Sequence, residues 1–550
     1  MISHQLNIIL GENARGFVVE KSFGFGDYAT NAAMMNAKKG EGEPRDFAEF
    51  LMAELWKSEE IRKVVEKMEI AGPGFINFYL KDDVVRGNIG HILNEGTKYG
   101  KNETEKGQKV IVEYTDPNPF KEVHIGHLMS NTIGEAFSRI IEANGADVKR
   151  ACYQGDVGMH VAKSIYGMQR MEITDVHSLG KAYVFGSQAY EEHKKEIQEI
   201  NKKVYEKSDE EINALYEKGR KLSLDYFEII FKRLGTHFDY YFYESETNIL
   251  GKKTVEENIG KIFEKSDNAV VFKGEVYGLH TRVFINSEGL PTYEAKELGL
   301  AKIKHDAYPY DTSIVITGNE VNDYFKVLLC AMSQIFPELE KKTKHVSHGM
   351  LRLPTGKMSS RTGDIITAES LISALSEMVM EKITDRDIED KGKVAEEIAI
   401  AGIKYSILKQ SPGKDIIFDP QKALSFEGDS GAYLQYAYVR TQSILRKSSL
   451  RVVLSETLRT TLREPEPVSG LEKMLFEGLP NAVLMARREL APNYIATYLI
   501  DLCREFNAYY EQNQILGNEH TEHRLALVES VGIVLKNGLN LLGIPVLEKM

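Results

Sequence analysis

The chain has 550 residues, and its 69 Lys+Arg against 81 Asp+Glu give a formal net charge of −12 at pH 7. At roughly 100–200 residues per domain, this length predicts about three or four domains, and 42% hydrophobic residues supply each with a core, which excludes a disordered chain. The absence of an apolar run of about 18 residues and of a cleavable leader pattern argues against membrane-spanning and secreted proteins. Cys152, Cys330 and Cys503 are too scattered to predict a disulfide framework or a thiolate zinc site, so we expect a reducing, cytoplasmic location.

The first hundred residues mix helical and strand patterns. A helical pattern runs over 46–68, and an apolar β-like run over 74–80 follows the turn pair Gly72-Pro73. We therefore predict a small α+β domain over residues 1–104.

A change of pattern near residue 105 marks the start of a second domain. A buried strand at 110–114 is followed by a proline-rich loop, a helix from about Gly126 and another strand at 148–153. This βαβ order predicts a Rossmann-like, doubly wound parallel sheet over residues 105–390. Further strands are predicted at 269–272, 283–285 and 313–317.

An insertion is predicted within this sheet domain, over about 165–290. Its charge-rich stretch 187–234 has apolar residues at helical spacing, and Ser208 followed by Glu211 matches a capping box, so we expect an exposed helical hairpin. From 391 to 550 the pattern is helical almost throughout, which predicts an all-α domain.

The strand-to-helix connection contains His124-Ile125-Gly126-His127. Two histidines three residues apart at a helix start can face one ligand, Gly126 lets a phosphate approach the backbone, and the helix dipole favours an anion there. Such a site can stabilise charge that develops on an α-phosphate during nucleotidyl transfer. A metal-binding H-x-x-H pair and a structural turn are the alternatives that the pattern leaves open.

A second loop, 354–363, offers Lys357, Ser359, Ser360 and Arg361 between two glycines. An ammonium, two hydroxyls and a guanidinium in a short loop suit the β- and γ-phosphates of ATP. Such residues are common in loops, so the signal is weak alone. Together with the upstream histidine pair it indicates a nucleotide site.

These two elements, in this order, resemble the H-I-G-H and K-M-S-K-S signatures of class I aminoacyl-tRNA synthetases. Three further segments, 27–34, 72–78 and 431–440, are similar to the extra N-terminal domain and the anticodon-binding helix of arginyl-tRNA synthetases. The resemblance covers essentially the whole chain.

The resemblance implies activation of L-arginine by ATP with Mg²⁺, release of pyrophosphate, and transfer of the arginyl group to the 3′-terminal adenosine of tRNA(Arg). In this family, arginine activation generally requires bound tRNA. A monomer without a metal site held by the protein is implied.

A guanidinium with five N–H donors needs carboxylate acceptors. Glu113 ends an apolar strand run, where an acid is unexpected unless it faces a site or sits at an edge. The resemblance makes Glu113 and Asn118 substrate contacts. Tyr293 and Glu297 lie four apart at a helix start, which alone is an ordinary amphipathic turn; the family places a tyrosine and an acid, usually Asp, there to bind guanidinium.

Glu320 occupies a position where the family commonly has Gln. As an arginine contact it would form, with Glu113 and Glu297, a group of acids that raise one another's pKa until a guanidinium binds. A solvated loop acid is the alternative. Gly155 to Gly158 matches a family segment beside the site but also fits a simple turn, and we assign no chemistry to it.

By resemblance, His124, Gly126 and His127 bind ATP and the two histidines act in catalysis. His348 and Met350 are expected near adenine, although a plain strand end fits them almost as well. Ser360 replaces the usual Lys of the second signature, so we expect Lys121 and Lys357 to supply the missing charge; Ser359 and Ser360 remain ATP contacts.

The tRNA contacts are predicted on the C-terminal helices. Arg440, Arg446 and Lys447 form a basic stretch suited to phosphates, and Tyr509 is placed to stack on an anticodon base unless it belongs to the core. Two rival functions remain. A class I synthetase for another amino acid is disfavoured by the acids, and a catalytically dead RNA-binding paralogue is suggested by Ser360 and opposed by the intact histidines.

Overall fold

A computed structural model describes residues 2–11, 16–22, 25–37, 43–352, 366–448 and 466–550. This part of the chain divides into two compact units. One comprises residues up to 99 with 441–478 and 501–534, and the other comprises 100–440 with 479–500 and 535–550. The predicted domain boundaries at 104 and 390 stay a prediction.

The N-terminal residues form an α+β fold around an antiparallel sheet, as predicted. The sheet has the strand order β1-β2-β4-β3. Its elements are α1 (Ile2–Leu10), β1 (Val19–Lys21), β2 (Tyr28–Thr30), α2 (Ala32–Asn36), α3 (Pro44–Lys57), α4 (Glu59–Val64), β3 (Val65–Ala71), β4 (Phe75–Leu80) and α5 (Asp82–Glu95).

The single helix predicted over 46–68 is wrong in two respects. Ser58 has an extended backbone and its side chain accepts the N–H of Ile61, so it caps a second helix instead of continuing the first. The chain then leaves the helix at Val65 because the next residues pair antiparallel with β4, and this tertiary pairing overrides their helical periodicity.

The larger unit contains a five-stranded, fully parallel sheet, which confirms the predicted Rossmann-like fold. Its strand order is β12-β11-β5-β6-β7. The elements of this region are β5 (Lys109–Glu113), α6 (Ile125–Ala143), β6 (Asp147–Gln154), α7 (Met159–Met168), α8 (Val176–Gln188), α9 (Lys194–Glu206), α10 (Glu210–Arg233), β7 (Tyr240–Tyr243), α11 (Glu244–Glu257), β8 (Glu264–Ser266), β9 (Ala269–Phe272), β10 (Arg282–Ile285), α12 (Tyr293–Ala307), β11 (Thr312–Gly318), α13 (Asn322–Ile335), α14 (Pro337–Lys342) and β12 (Thr343–His348). Of these, β8, β9 and β10 form a separate antiparallel sheet of order β10-β9-β8.

The strand order reverses direction between β5 and β11. From β5 the chain proceeds to β6 and β7 on one side, whereas β11 and β12 lie on the other. At such a switch point the loops leaving the two strands diverge and open a crevice at the carboxyl ends of the strands. Glu113 and Gly318 end these two strands and therefore face the crevice.

The charge-rich insertion is a packed helical cluster and not the exposed hairpin that we predicted. Ile197, Ile200 and Val204 of α9 are buried against the apolar faces of α7 and α8. The predicted capping box is also shifted. Asp209, not Ser208, accepts the N–H groups of the first turn of α10, because Ser208 still closes the end of α9.

The C-terminal residues are almost entirely helical, as predicted. Their elements, with a short strand pair, are β13 (Leu351–Arg352), α15 (Ala368–Ile383), α16 (Lys391–Leu408), β14 (Ile416–Ile417), α17 (Pro420–Ala423), α18 (Gly431–Lys447), α19 (Gly470–Leu475), α20 (Gly478–Glu489), α21 (Asn493–Gln512) and α22 (Thr521–Leu541). None of the helices in the described ranges is long and apolar enough to cross a bilayer.

Candidate active site

A cavity of about 490 Å³ opens at the carboxyl ends of β5, β6 and β11. It is lined by nine of the predicted site residues: Glu113, Asn118, His124, Gly126, His127, Tyr293, Glu297, Glu320 and His348. These residues come from segments far apart in the sequence, and the parallel sheet brings them together.

The loop from β5 to α6 has a strained backbone that tertiary hydrogen bonds hold in place. Thr115, Asp116 and Phe120 have positive φ angles of 78°, 45° and 70°. Such conformations cost on the order of 1–3 kcal/mol per non-glycine residue and persist only where the surroundings fix them. Here the N–H of Thr115 donates to Ser130 Oγ (3.0 Å), and Asp116 Oδ1 accepts the N–H of Tyr153 (2.7 Å).

The two signature histidines form a reciprocal cap at the start of α6. His124 Nδ1 accepts the N–H groups of Gly126 (3.0 Å) and His127 (3.4 Å), while His127 Nδ1 accepts the N–H of His124 (3.2 Å). The rings stack with centroids 3.6 Å apart. Gly126 is required because a Cβ there would lie 2.9 Å from the His124 ring.

These contacts determine the protonation state of both rings. Burial, together with the positive charge of Lys121, lowers the pKa of His124, and burial with the neighbouring His124 lowers the pKa of His127 further. Both imidazoles are therefore neutral at pH 7. Since each Nδ1 accepts a hydrogen bond, each proton resides on Nε2, and the pair offers two N–H donors.

Carboxylates form the floor of the cavity around Glu113, which is 1% exposed. Glu113 Oε2 accepts a hydrogen bond from Lys304 Nζ at 2.5 Å, a fully buried ion pair. Burial and the negative charge of Glu113 raise the pKa values of Asp116 and Glu297 well above their ordinary range. The acids that act on one another are thus Glu113, Asp116 and Glu297.

A second buried pair borders the same cavity. Lys296 Nζ donates to Glu244 Oε2 at 2.6 Å, and both side chains are at least nine-tenths buried. The Lys296 ammonium also lies 5.3 Å from the ring centroid of Tyr293, whose side chain is half-exposed at the cavity mouth. The pair fixes the start of α12 against the start of α11.

Asn118 and Gly155 meet where the first loop crosses the end of β6. A Cβ at Gly155 would lie only 2.2 Å from Asn118 Oδ1, so the absent side chain makes room for the amide. The next residue, Asp156, is completely buried and accepts hydrogen bonds from Tyr216, Arg220 and Ser245. It anchors the insertion, which is more than the simple turn that the sequence indicates.

Glu320 lies beside the histidines instead of among the buried acids. Its side chain is exposed and folds back over Gly318, and its negative charge acts on the pKa values of His124 and His348. His348 is buried and lines the cavity, whereas Met350 is 45% exposed and is not among its lining residues.

Some of the residues predicted to bind the ATP phosphates lie outside the described residues. These are Lys357, Ser359 and Ser360, which belong to 353–365. Lys121 is described: its ammonium lies 4.5 Å from the ring centroid of Tyr183 on α8, and its charge lowers the pKa values of both signature histidines. It therefore adds positive potential near them although it does not line the cavity.

The predicted tRNA residues differ in exposure. Arg440 donates to the hydroxyl of Tyr436 one turn earlier, and Arg446 and Lys447 are exposed at the end of α18. Tyr509 is 8% exposed, and burial raises its pKa to about 12, so its ring belongs to the core, the alternative that the sequence left open. Its neighbour Tyr510 is 40% exposed.

Four charged residues that line the cavity were missed by the sequence analysis: Asp116, Glu244, Arg282 and Glu294. Lys304 and Lys296, which pair with the cavity acids Glu113 and Glu244, were missed as well. The sequence does contain a signal for Lys304, because it occupies the inward face of α12, two turns beyond Glu297. An ionisable residue on an apolar helix face indicates a buried partner.

Comparison with known proteins gives three family models along the chain. They are "tRNA synthetases class I (R), catalytic domain" over 88–420, "DALR anticodon binding domain" over 434–550, and "Arginyl tRNA synthetase N terminal domain" over 1–80.

The curated relatives include the arginine–tRNA ligases of Fusobacterium nucleatum, 33% identical with 96% of this chain and 94% of that protein covered, and of Treponema denticola, 31% identical with 94% and 91% covered. Among solved structures, the arginyl-tRNA synthetase of Thermus thermophilus superposes with a TM-score of 0.81 at 24% identity, covering 99% of this chain and 98% of that one. The arginyl-tRNA synthetase of Plasmodium falciparum gives 0.80 at 21% identity, covering 100% and 97%.

Proposed function

The chain belongs to the arginyl-tRNA synthetase family, and from that membership we propose that it is an arginine–tRNA ligase. It activates arginine with ATP to arginyl-adenylate and transfers the arginyl group to the 3′-terminal adenosine of tRNA(Arg). The observation that carries the proposal is that nine predicted substrate residues line one cavity, which holds buried carboxylates and a neutral histidine pair.

Arginine is bound by the acids Glu113 and Glu297 together with two polar side chains near them. Glu297 lies one turn after Tyr293, the first residue of α12, so both side chains point to one side of the helix. A carboxylate and a phenol hydroxyl there accept hydrogen bonds from the guanidinium, while Asn118 is close to the amino-acid end. Glu113 lines the floor beside them, paired with Lys304.

ATP activation falls to the histidine pair. Each neutral imidazole donates through Nε2 to the phosphate region, where negative charge develops as the arginine carboxylate attacks the α-phosphate and pyrophosphate leaves. The start of α6 and the charge of Lys121 add to this stabilisation. Lys357, Ser359 and Ser360 would complete the ATP site.

The cavity fits the Mg²⁺ that this family generally uses with ATP. Mg²⁺ is usually bound by one or two carboxylates together with substrate phosphates. Glu320 is exposed next to His124 and His348, and so it would hold the ion with the phosphate oxygens. When bound, the ion neutralises phosphate charge.

Binding of tRNA(Arg) falls to the C-terminal helices. Arg446 and Lys447 are exposed at the end of α18, and with Arg440 they suit backbone phosphates. If they contact phosphates, replacing Arg446 and Lys447 by Ala weakens tRNA binding and reduces the slope of log K against log salt by about 1.5 to 2. The monomeric state and the cytoplasmic location stay predictions.

ATP–pyrophosphate exchange with each of the twenty amino acids, with and without tRNA, tests the proposed function. Exchange that depends on arginine and on tRNA supports it. Exchange with another amino acid would identify a different class I synthetase. A chain that binds tRNA but gives no exchange under any condition would be the catalytically dead paralogue suggested by Ser360.

A further inference from the structure

A buried lysine is paired with an acid of the cavity that is proposed to bind a cationic substrate. Lys304 projects from α12, is 3% exposed, and donates to Glu113 Oε2 at 2.5 Å. The ammonium of Lys304 competes with the substrate guanidinium for the carboxylates of the cavity. Packing alone therefore does not account for a lysine at this position.

The charges around the floor show what this ammonium does. Glu244 is paired with Lys296, so that acid is neutralised separately. The groups facing Glu297 are Glu113, Asp116 and Glu244, which raise its pKa, and Lys304, which lowers it. The phenols of Tyr153 and Tyr324 face it as well, since the charge of Glu297 acts on their pKa values.

Two adjacent carboxylates in a poorly solvated site cannot both ionise unless a cation compensates one of them. Asp116 also lines the cavity and is partly exposed, but its Oδ1 accepts the N–H of Tyr153, which ties that carboxylate to β6. Glu297 is the remaining acid, half-buried and one turn from Tyr293. Whether it ionises depends on the charge of Glu113.

We propose that Lys304 is a positioning residue for arginine recognition: its ammonium neutralises Glu113 on the cavity floor, so that Glu297 ionises and meets the substrate guanidinium. This inference rests on the proposed arginine–tRNA ligase activity. With Lys304 in place, Glu297 is the uncompensated carboxylate that pairs with the guanidinium of arginine. Without Lys304, Glu113 and Glu297 repel each other, and one of them takes up a proton.

The test uses the pH profile of kcat/KM for arginine in tRNA-dependent pyrophosphate exchange by the full chain. Lys304→Met should raise the KM for arginine at least about 10-fold at pH 7 and shift the acid limb of the profile upward by about one pH unit. Glu113→Gln should shift the acid limb downward, because it removes the negative charge next to Glu297. The double variant should return the limb to within about 0.3 units of the wild type.

The double variant and two control variants distinguish a change in electrostatics from a loss of folding. The double variant leaves no unpaired buried charge, so it keeps the test valid where Lys304→Met alone does not fold. Lys304→Arg retains the charge and should keep the wild-type acid limb. Lys302→Met removes a half-exposed lysine of the same helix, which pairs with Asp306, and serves as the matched control.

The outcomes separate the inference from the proposed function. If the wild type shows no arginine-dependent exchange, the proposed function is wrong. If the wild type activates arginine but the single variants leave the acid limb unmoved, or move it in the same direction, the role of Lys304 is wrong. If the acid limb moves in opposite directions in the two single variants and returns in the double variant, the role of Lys304 is supported. A loss of packing would not move the limb in opposite directions according to the sign of the charge removed.

Discussion

The two signature histidines are neutral rings that present N–H groups instead of positive charge. Their Nδ1 atoms are used by the backbone of α6, and burial lowers the pKa of both rings. A neutral imidazole with an accepting Nδ1 carries its proton on Nε2, so in the proposed mechanism the pair stabilises the charge that develops in the transition state without a protonation step.

Replacing both His124 and His127 by Ala should therefore abolish adenylate formation. Removal of one such donor typically costs 10²–10³-fold in rate, so we expect a loss of at least about 10³-fold in pyrophosphate exchange. Because the histidines lie in the cavity, tRNA affinity measured by filter binding should stay within about twofold. Residual exchange above one tenth of the wild-type rate would contradict the assignment.

Glu320→Gln distinguishes two positions for this acid. If Glu320 holds Mg²⁺ beside the histidines, the variant should raise the KM for ATP and the Mg²⁺ concentration at half-maximal rate several-fold, leaving the arginine KM within about twofold. If it contacts arginine, the arginine KM and its pH dependence change instead. Exchange rates over a matrix of arginine, ATP and Mg²⁺ concentrations decide between them.

At the scale of elements, the active site depends on how one loop crosses the end of its neighbouring strand. The loop after β5 contains three residues with positive φ and is fixed by side chains of α6 and α10 and by the backbone of β6. Asn118 then fits against Gly155, where no Cβ intervenes. The strained residues therefore lie next to Asn118, which is proposed to contact the substrate.

Gly155→Ala should displace the Asn118 amide without unfolding the protein. The backbone of Gly155 does not require positive φ, and the close atom is the end of a side chain that can rotate away. We expect the arginine KM to rise about 10-fold with little change in melting temperature. Gly87→Ala, on the exposed side of α5 where an added Cβ meets nothing within 4 Å, is the control. An unchanged arginine KM would remove Asn118 from the pocket.

At the scale of the whole molecule, the unit that carries the active site is tied together by a buried lysine without a carboxylate partner. Lys404 of α16 donates to the carbonyl oxygens of Leu234 (2.6 Å) and Gly543 (2.7 Å). Burial, reinforced by the charge of Arg139, lowers its pKa to about 7. The side chain thus links the carbonyl groups that follow the ends of α10 and α22.

This lysine predicts a pH dependence of stability with a definite sign. Between the folded pKa of about 7 and the unfolded value of about 10.4, the unfolded chain binds a proton that the folded chain does not, so rising pH favours folding. The free energy of unfolding of the wild type, relative to Lys404→Met, should increase by about 2 kcal/mol from pH 7 to pH 9. Urea denaturation at both pH values measures it. A difference that is flat or falls with pH would contradict the lowered pKa.

The sequence by itself determined the parallel sheet, the helix after its first strand, and nine residues of the cavity. The sheet and the helix follow from local periodicity, and the histidine pair follows from the spacing within its own segment. The other cavity residues, among them Glu113, Asn118, Tyr293, Glu297 and Glu320, were predicted from the resemblance to arginyl-tRNA synthetases. Helix ends such as Ser58 and Asp209 were misplaced because capping depends on which backbone group a side chain reaches, and neighbouring residues compete for it.

The tertiary structure alone decided the electrostatics of the site. Lys304 and Glu113 are 191 residues apart, and no local pattern pairs them; only the packing of α12 beside β5 does so. The same holds for Lys296 with Glu244, and for the place of Glu320 beside the histidines. Charges act through space, and the distances between them and their exclusion from water exist only after the chain has folded.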